Sequence, residues 1–183
     1  MISVVGADSG FDIDSVLLPT TGSSNLMNDS ASSLLHFLTA IISCTFVPPI
    51  PAPDFTLNDM NGAQVRLSDF KGRKVVLQFW ASWCPDCRAE IPVIKKMQAS
   101  AGPSEIVFAA VSFDRSEEAF SSYVTKNEMG GVQLYNPAGM RDSAIAAAYH
   151  IIWIPSLYLI DENGKVSLAT VMVDKLEEAV DKK

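Results

Sequence analysis

An apolar strand that runs directly into a pair of cysteines constrains this chain more than any other feature. The run 74–80 reads Lys-Val-Val-Leu-Gln-Phe-Trp, and a few residues later Cys84 and Cys87 are separated by Pro85 and Asp86. Continuous apolar residues over this length predict a buried strand. Two cysteines at this spacing, where a strand gives way to a helix, can close a small disulfide ring, and the helix N-terminus favours the first sulfur as thiolate. The pair therefore predicts redox chemistry.

Size and charge narrow the possible partners. The chain has 183 residues, of which 48% are hydrophobic, which suits one domain with an ordinary core. Its formal net charge is −7, and most of the acidic excess lies in the first third, where no basic residue precedes Arg66. Nucleic acids and anionic lipid surfaces require basic clusters, which this sequence lacks. We therefore expect no nucleic-acid partner.

Cysteine usage points to exchange between two thiols rather than to a scaffold or a metal site. Three cysteines are too few for a disulfide-stapled fold, and one Cys-x-x-Cys pair falls short of four zinc ligands. We expect no metal and no organic cofactor, because the electrons travel in the sulfur–sulfur bond. Cys44 is left over.

The composition divides the chain into an N-terminal extension (1–47), a proline-rich linker (48–53) and a domain (54–183). The extension carries an apolar run at 34–42 that predicts a short helix, too short to span a bilayer comfortably. Followed by Cys44, the same run also resembles the end of a bacterial lipoprotein signal. A signal needs a basic n-region, which is missing here, so an ordered or partly ordered extension is the favoured alternative.

From residue 54 onward, strand and helix patterns alternate. Asn61-Gly62 separates two short strand patterns and predicts a hairpin. Further strands are expected at 75–80, 106–111, 132–135, 157–160 and 166–171, with helices at 85–97, 117–127, 142–149 and 174–181. The pattern predicts an α/β fold with a mixed sheet covered by helices on both faces.

The motifs resemble the TlpA/ResA-type thiol-disulfide oxidoreductases, which have the thioredoxin fold and are related to the AhpC/TSA group. The resemblance covers about residues 51–181 and rests on segments in the family's order: Ala52–Leu57, Leu67–Gly72, Phe79–Pro92 and Trp153–Lys165. It implies a thioredoxin-like three-layer sandwich with an N-terminal β-hairpin.

The same resemblance assigns roles to site residues. It implies that Cys84 is the exposed attacking thiol, that Cys87 is the resolving thiol, and that Pro155 follows a cis peptide bond beside the sulfurs. The backbone of Ile154 would then pair with an extended client peptide. Trp83 and Trp153 are candidates for apolar walls of that groove, and packing as ordinary core or half-buried aromatic residues is the alternative for both.

Deprotonation of Cys87 requires a nearby base. Thioredoxins place a buried Asp on the strand before the motif, where this chain has Gln78, which cannot accept a proton. Glu90 lies on the same helical face as Cys87 and matches a glutamate of ResA-like proteins, so we assign the proton transfer to it. A solvated surface carboxylate is the alternative. The charge of Asp86 disfavours a thiolate at Cys84, which predicts a reductant or a moderate isomerase rather than a strong oxidant.

The expected function is a protein disulfide oxidoreductase, with a disulfide-containing client protein and a recycling redox partner, for which a membrane protein is one option. A peroxiredoxin-like peroxidase is disfavoured, because Leu77 and Ala81 occupy the positions of its proline and hydroxyl residues. A redox-inert binding module is the third alternative. By resemblance the location is the cell envelope or periplasm, with lipid anchoring through Cys44 as one option and the cytoplasm left open.

Overall fold

The computed structural model describes residues 50–102 and 105–181. The expectations for the extension (1–47), including its helix and the lipidation of Cys44, lie outside the described residues. None of the helices in the described part of the chain is long and apolar enough to cross a membrane.

Within those residues, eight strands form one mixed sheet in the order β1-β8-β7-β4-β5-β6-β2-β3. The strands are β1 Ile50–Pro51, β2 Thr56–Asp59, β3 Gln64–Arg66, β4 Lys74–Trp80, β5 Ile106–Ser112, β6 Val132–Tyr135, β7 Ser156–Ile160 and β8 Lys165–Thr170. The central pairs β4–β5 and β5–β6 are parallel, and the remaining pairs are antiparallel. The predicted mixed sheet is confirmed.

Helices cover both faces of the sheet. They are α1 Pro85–Ser100, α2 Glu117–Lys126, α3 Ala144–Ala148 and α4 Val173–Asp181, and a 3-10 helix spans Leu67–Phe70. One buried cluster joins Val76 of β4 to side chains of α1 and α4. A larger cluster on the opposite face joins Phe79 to side chains of α2 and α3. Because successive strand residues point to opposite faces, β4 serves both layers, and its last six residues are buried. This three-layer arrangement confirms the predicted fold.

The predicted hairpin at Asn61-Gly62 is present between β2 and β3. Leu57 pairs with Val65, and Gly62 adopts a φ of 79°. The carboxylate of Asp59 accepts hydrogen bonds from the N–H groups of Asn61 and Ala63, at 2.8 and 2.9 Å. These bonds lower the pKa of Asp59 and fix the turn.

The structure corrects the expected linker at its C-terminal end. Ile50 and Pro51, which were assigned to the linker, form the edge strand β1 and pair with Val166 and Lys165 of β8. The N–H of Ala52 then donates to the carbonyl of Gly164 at 2.9 Å. A proline lacks a donor but is tolerated at the edge of a sheet, where one side of the strand needs no partner. Proline content therefore did not exclude pairing here.

Helix boundaries differ from the predicted ones where a cap decides them. The predicted helix 142–149 is only Ala144–Ala148, because Ser143 caps it by accepting the N–H of Ala146 at 3.1 Å. In the other direction, α1 continues three residues beyond Met97, to Ser100.

Gly131, just before β6, provides a test of how closely this segment approaches β5. Its φ is +75°, and an added Cβ would collide with the carbonyl oxygen of Phe108. We expect Gly131→Ala to lower the free energy of unfolding by about 3 kcal/mol or more, because the clash adds to the cost of the left-handed conformation. Urea titration monitored by circular dichroism measures the change.

Gly62→Ala is the matched control. Gly62 has a similar φ of +79°, but nothing lies within 4 Å of an added Cβ. This variant should lose only about 1–2 kcal/mol, the cost of the left-handed backbone alone. Equal losses in the two variants would contradict the steric argument.

Candidate active site

The two cysteines lie where β4 passes into α1. Cys84 is the N-cap residue of α1, and Cys87 lies in the first turn of the helix. Their Cα atoms are 5.3 Å apart, and the two sulfurs form a disulfide. The expectation that both sulfurs lie within bonding distance at a helix N-terminus is confirmed.

The sulfur of Cys84 has two polar neighbours. It accepts a hydrogen bond from the backbone N–H of Cys87 at 3.2 Å, which contributes to capping the helix. The carbonyl oxygen of Ile154 lies 3.6 Å from the same sulfur. In the dithiol form this carbonyl can accept the thiol hydrogen, whereas the N–H of Cys87 stabilises the thiolate. The site thus contains a partner for each protonation state of Cys84.

The structure corrects the expected exposure of Cys84. In the disulfide form Cys84 is only 4% exposed and Cys87 is fully buried. The backbone of Ile154 lies against the outer sulfur, which accounts for part of this burial. In this form the outer sulfur is therefore recessed.

The peptide bond between Ile154 and Pro155 is cis, as expected. Pro155 is buried and directly precedes β7. Ser156 of β7 pairs with Phe79 near the end of β4, so the proline loop meets the strand that leads to Cys84. The hydroxyl of Ser156 donates to the carbonyl of Trp153 at 2.8 Å and closes the loop.

The aromatic candidates at this end of the sheet are exposed, whereas the Ile154 side chain is not. Trp83 is 50% and Trp153 is 62% exposed, so neither is an ordinary core residue. The Ile154 side chain is only 6% exposed, whereas its backbone carbonyl approaches Cys84. Sequence reasoning missed Ile152, which is 72% exposed beside Trp153. Its signal was an apolar residue in the loop before the proline.

Glu90 follows Cys87 by three residues in α1 and is partly buried. One of its carboxylate oxygens, Oε2, is buried without a hydrogen-bond partner in the described part of the chain. Burial raises the pKa of Glu90 to about 7, and the charges of Asp86 and Asp174 add to the shift. The interpretation of Glu90 as a freely solvated carboxylate is therefore wrong.

Gln78 lies in β4, beneath α1, and is 3% exposed. Its Nε2 has no hydrogen-bond partner among the described residues. An amide carries no titratable proton at ordinary pH, so Gln78 can polarise this region without acting as a base. Within the described ranges, no group of three His, Cys, Asp or Glu side chains could hold a metal ion.

A family model described as the AhpC/TSA family matches residues 50–169. The chain belongs to that family. The thioredoxin-like protein YneN of Bacillus subtilis is 31% identical over 136 residues, which cover 71% of this chain and 76% of YneN. A thiol-disulfide oxidoreductase ResA of Bacillus thuringiensis is 30% identical over 115 residues, 63% of this chain and 64% of ResA, just under two thirds of that relative.

Solved structures agree with these relatives. The thioredoxin domain of a thiol-disulfide oxidoreductase from Bacteroides vulgatus is 29% identical with a TM-score of 0.67, covering 73% of this chain and 94% of that domain. A thiol:disulfide interchange protein DsbE from Chlorobium tepidum is 32% identical with a TM-score of 0.66, covering 74% and 96%. The resemblance to ResA-type thiol-disulfide oxidoreductases is confirmed.

The raised pKa of Glu90 predicts a pH-dependent cost of folding. Both folded and unfolded chains carry a protonated Glu90 below about pH 4.5. The unfolded chain ionises first as the pH rises, so stability falls until about pH 7 and is then constant. Glu90→Gln removes this loss. Its unfolding free energy, relative to that of the native disulfide form, should therefore rise by about 1–2 kcal/mol between pH 4.5 and pH 8.

Urea titration at both pH values measures this difference, and any pH-independent effect of the substitution cancels. Glu162→Gln, on an exposed turn, is the control and should show no gain. If the unfolding free energy of Glu90→Gln changes with pH in the same way as that of the native chain, the assigned pKa is contradicted.

Proposed function

We propose that this chain reduces disulfides in client proteins through a mixed disulfide on Cys84. The supporting observation is the position of the Cys84 sulfur, which caps α1 and lies 3.6 Å from the Ile154 carbonyl of the cis-proline loop. Relatives named thiol-disulfide oxidoreductases support the same reaction class. We also propose that residues 1–47 form an extension separate from the domain that carries the cysteines.

The two cysteines transfer two electrons to the client in two steps. The thiolate of Cys84 attacks one client sulfur, which forms the Cys84–client bond and releases the other client sulfur as a thiolate. Cys87 then loses its proton and attacks Cys84, which forms the Cys84–Cys87 disulfide and releases the second client thiolate. The client gains two electrons and the chain loses two. A recycling partner must return two electrons and two protons.

Glu90 is the proposed acceptor of the Cys87 proton. Its pKa of about 7 makes it a base that is available near neutral pH and can release the proton again. Its buried Oε2 has no competing hydrogen bond in the described part of the chain. Gln78 cannot take this role, since an amide does not accept the proton.

The client would approach between the exposed tryptophans. Trp83 is adjacent to Cys84 in sequence, and Ile152 and Trp153 precede the proline loop whose Ile154 carbonyl lies by the sulfur; these three exposed side chains would offer the client an apolar surface. Val171 and Met172, which follow β8, are also exposed. Thr170 pairs with Leu157 at the same end of the sheet, so these two residues extend the surface. An extended client segment with apolar residues beside its cysteine fits this surface.

A cell-envelope location and a client in that compartment follow from the resemblance to ResA-type proteins. The acidic Asp86 beside the pair supports the reducing direction, since its charge disfavours a thiolate at Cys84. The recycling partner, membrane-bound or not, is inferred from the electron balance alone.

Cys87→Ser should trap the mixed disulfide, because the resolving sulfur is gone while Cys84 still attacks. Insulin serves as the client, and Cys44→Ser is combined with each variant so that the trapped sulfur is unambiguous. Non-reducing electrophoresis and mass spectrometry should locate insulin on Cys84. The matched variant Cys84→Ser should trap nothing. If the native chain reduces hydrogen peroxide but not insulin, a peroxidase is favoured. If it reduces neither, a binding module is favoured.

Glu90→Gln tests the proton transfer. We expect insulin reduction near neutral pH to slow by about 100-fold, the lower end of the range for general acid–base catalysis. The native rate should rise with pH up to about 7, where Glu90 ionises. This rise of the rate with pH should be missing in Glu90→Gln. Glu162→Gln is the control, and an unchanged pH profile in Glu90→Gln would reject the assignment.

A further inference from the structure

Asp114 is a buried carboxylate near the cysteines that the mechanism above does not use. It lies just beyond β5 and is 1% exposed. β4 and β5 are parallel and end side by side, with Trp80 paired to Ser112. Asp114 therefore reaches the loop that connects β4 to Cys84.

This carboxylate is surrounded by donors. Its Oδ1 accepts the N–H of Ser82 at 3.0 Å and the hydroxyl of Ser82 at 2.7 Å. Its Oδ2 accepts the hydroxyl of Ser112 at 2.8 Å and is 3.2 Å from the Ser82 nitrogen. The backbone N–H of Asp114 donates to the hydroxyl oxygen of Ser112 at 3.0 Å. Both carboxylate oxygens of Asp114 thus face donors.

Asp114 forms no ion pair in the described ranges. The two ion pairs there, Lys96–Glu177 and Lys175–Glu178, lie on other elements. Neutral donors stabilise a buried carboxylate but leave its net charge in place. In a medium of low effective dielectric, that charge acts on groups several ångströms away. Cys84 is two residues from Ser82, which Asp114 binds.

We propose that Asp114 is a positioning residue whose charge keeps the Cys84–Cys87 pair strongly reducing. The proposal rests on the proposed function, because the reduction potential of the Cys84–Cys87 pair matters only if the pair exchanges with other disulfides. Reduction of the pair consumes two electrons and two protons, and glutathione supplies both: the disulfide and two glutathione thiols give two protein thiols and one glutathione disulfide. One of these two thiols, that of Cys84, releases its proton to solvent to become the attacking thiolate, and Asp114 repels that thiolate, whereas the disulfide is neutral. The charge therefore favours the disulfide form.

The test is the equilibrium constant of this exchange in Asp114→Asn, measured in glutathione buffers at about neutral pH. Asparagine keeps the shape and the acceptor for Ser82 but removes the charge. We expect the equilibrium to shift about tenfold toward the dithiol form, which corresponds to a reduction potential about 30 mV less negative. Glu162→Gln removes an equal charge at the exposed turn before β8 and should leave the constant unchanged.

Ser112→Ala separates the charge from simple loosening of the loop. This variant removes one donor to Oδ2 but keeps the charge and the bonds to Ser82. If loosening of the loop before Cys84 were the cause, Asp114→Asn and Ser112→Ala would shift the equilibrium in the same direction. The charge predicts a shift toward the dithiol in Asp114→Asn and no such shift in Ser112→Ala. If Asp114→Asn does not fold, a shift toward the dithiol in Ser112→Ala overturns the proposal by itself.

The proposal for Asp114 is also overturned if the equilibrium constant with glutathione is the same in Asp114→Asn and in the native chain. This failure is distinct from failure of the proposed function. A pair that equilibrates with glutathione but reduces no client protein refutes the client reaction and leaves the role of Asp114 measurable. A pair that never equilibrates refutes both.

Discussion

The site depends on the pairing of β4 with two neighbours of opposite direction. β5 runs parallel to β4 and brings Asp114 to the loop before Cys84. β7 runs antiparallel and places Pro155 at the same end of the sheet. Both contacts join segments that are distant in sequence, and both follow from the register of one buried strand. A shift of that register by one residue would reverse the faces of Val76 and Leu77 and separate the cysteines from the proline loop.

Polar groups buried near the cysteines oppose the stability that this core provides. Glu90 and Gln78 each carry a buried atom without a partner among the described residues, and Asp114 is buried without an ion pair there. Unpaired polar groups are costly in a protein interior. Glu90 lies in the same helix as Cys87, and Asp114 binds the loop before Cys84, so a raised pKa or a local charge there can serve the proposed chemistry. The apolar clusters on both faces of the sheet offset this cost.

Local patterns in the sequence predicted much of the fold. The apolar run of β4, the Asn-Gly turn and the helical spacing in α1 each act within about ten residues, so their outcome could be read directly. β1 could not, because Ile50 and Pro51 form a strand only through partners at Val166 and Lys165. In the site, the disulfide and the cis bond were predicted by motif. The contacts of Asp114, 32 residues from Ser82, carried no local signal.

For the proposed client reaction, the burial of Cys84 near exposed indoles would make the mobility of the substrate a selecting property. A sulfur that is 4% exposed, beside Trp83 and near Trp153, is inaccessible to a disulfide held flat on a rigid surface. A disulfide on a loose or incompletely folded stretch can bend inward past the rings. The shape of the entrance would thus distinguish immature polypeptides from finished ones before any side chain of the client is recognised.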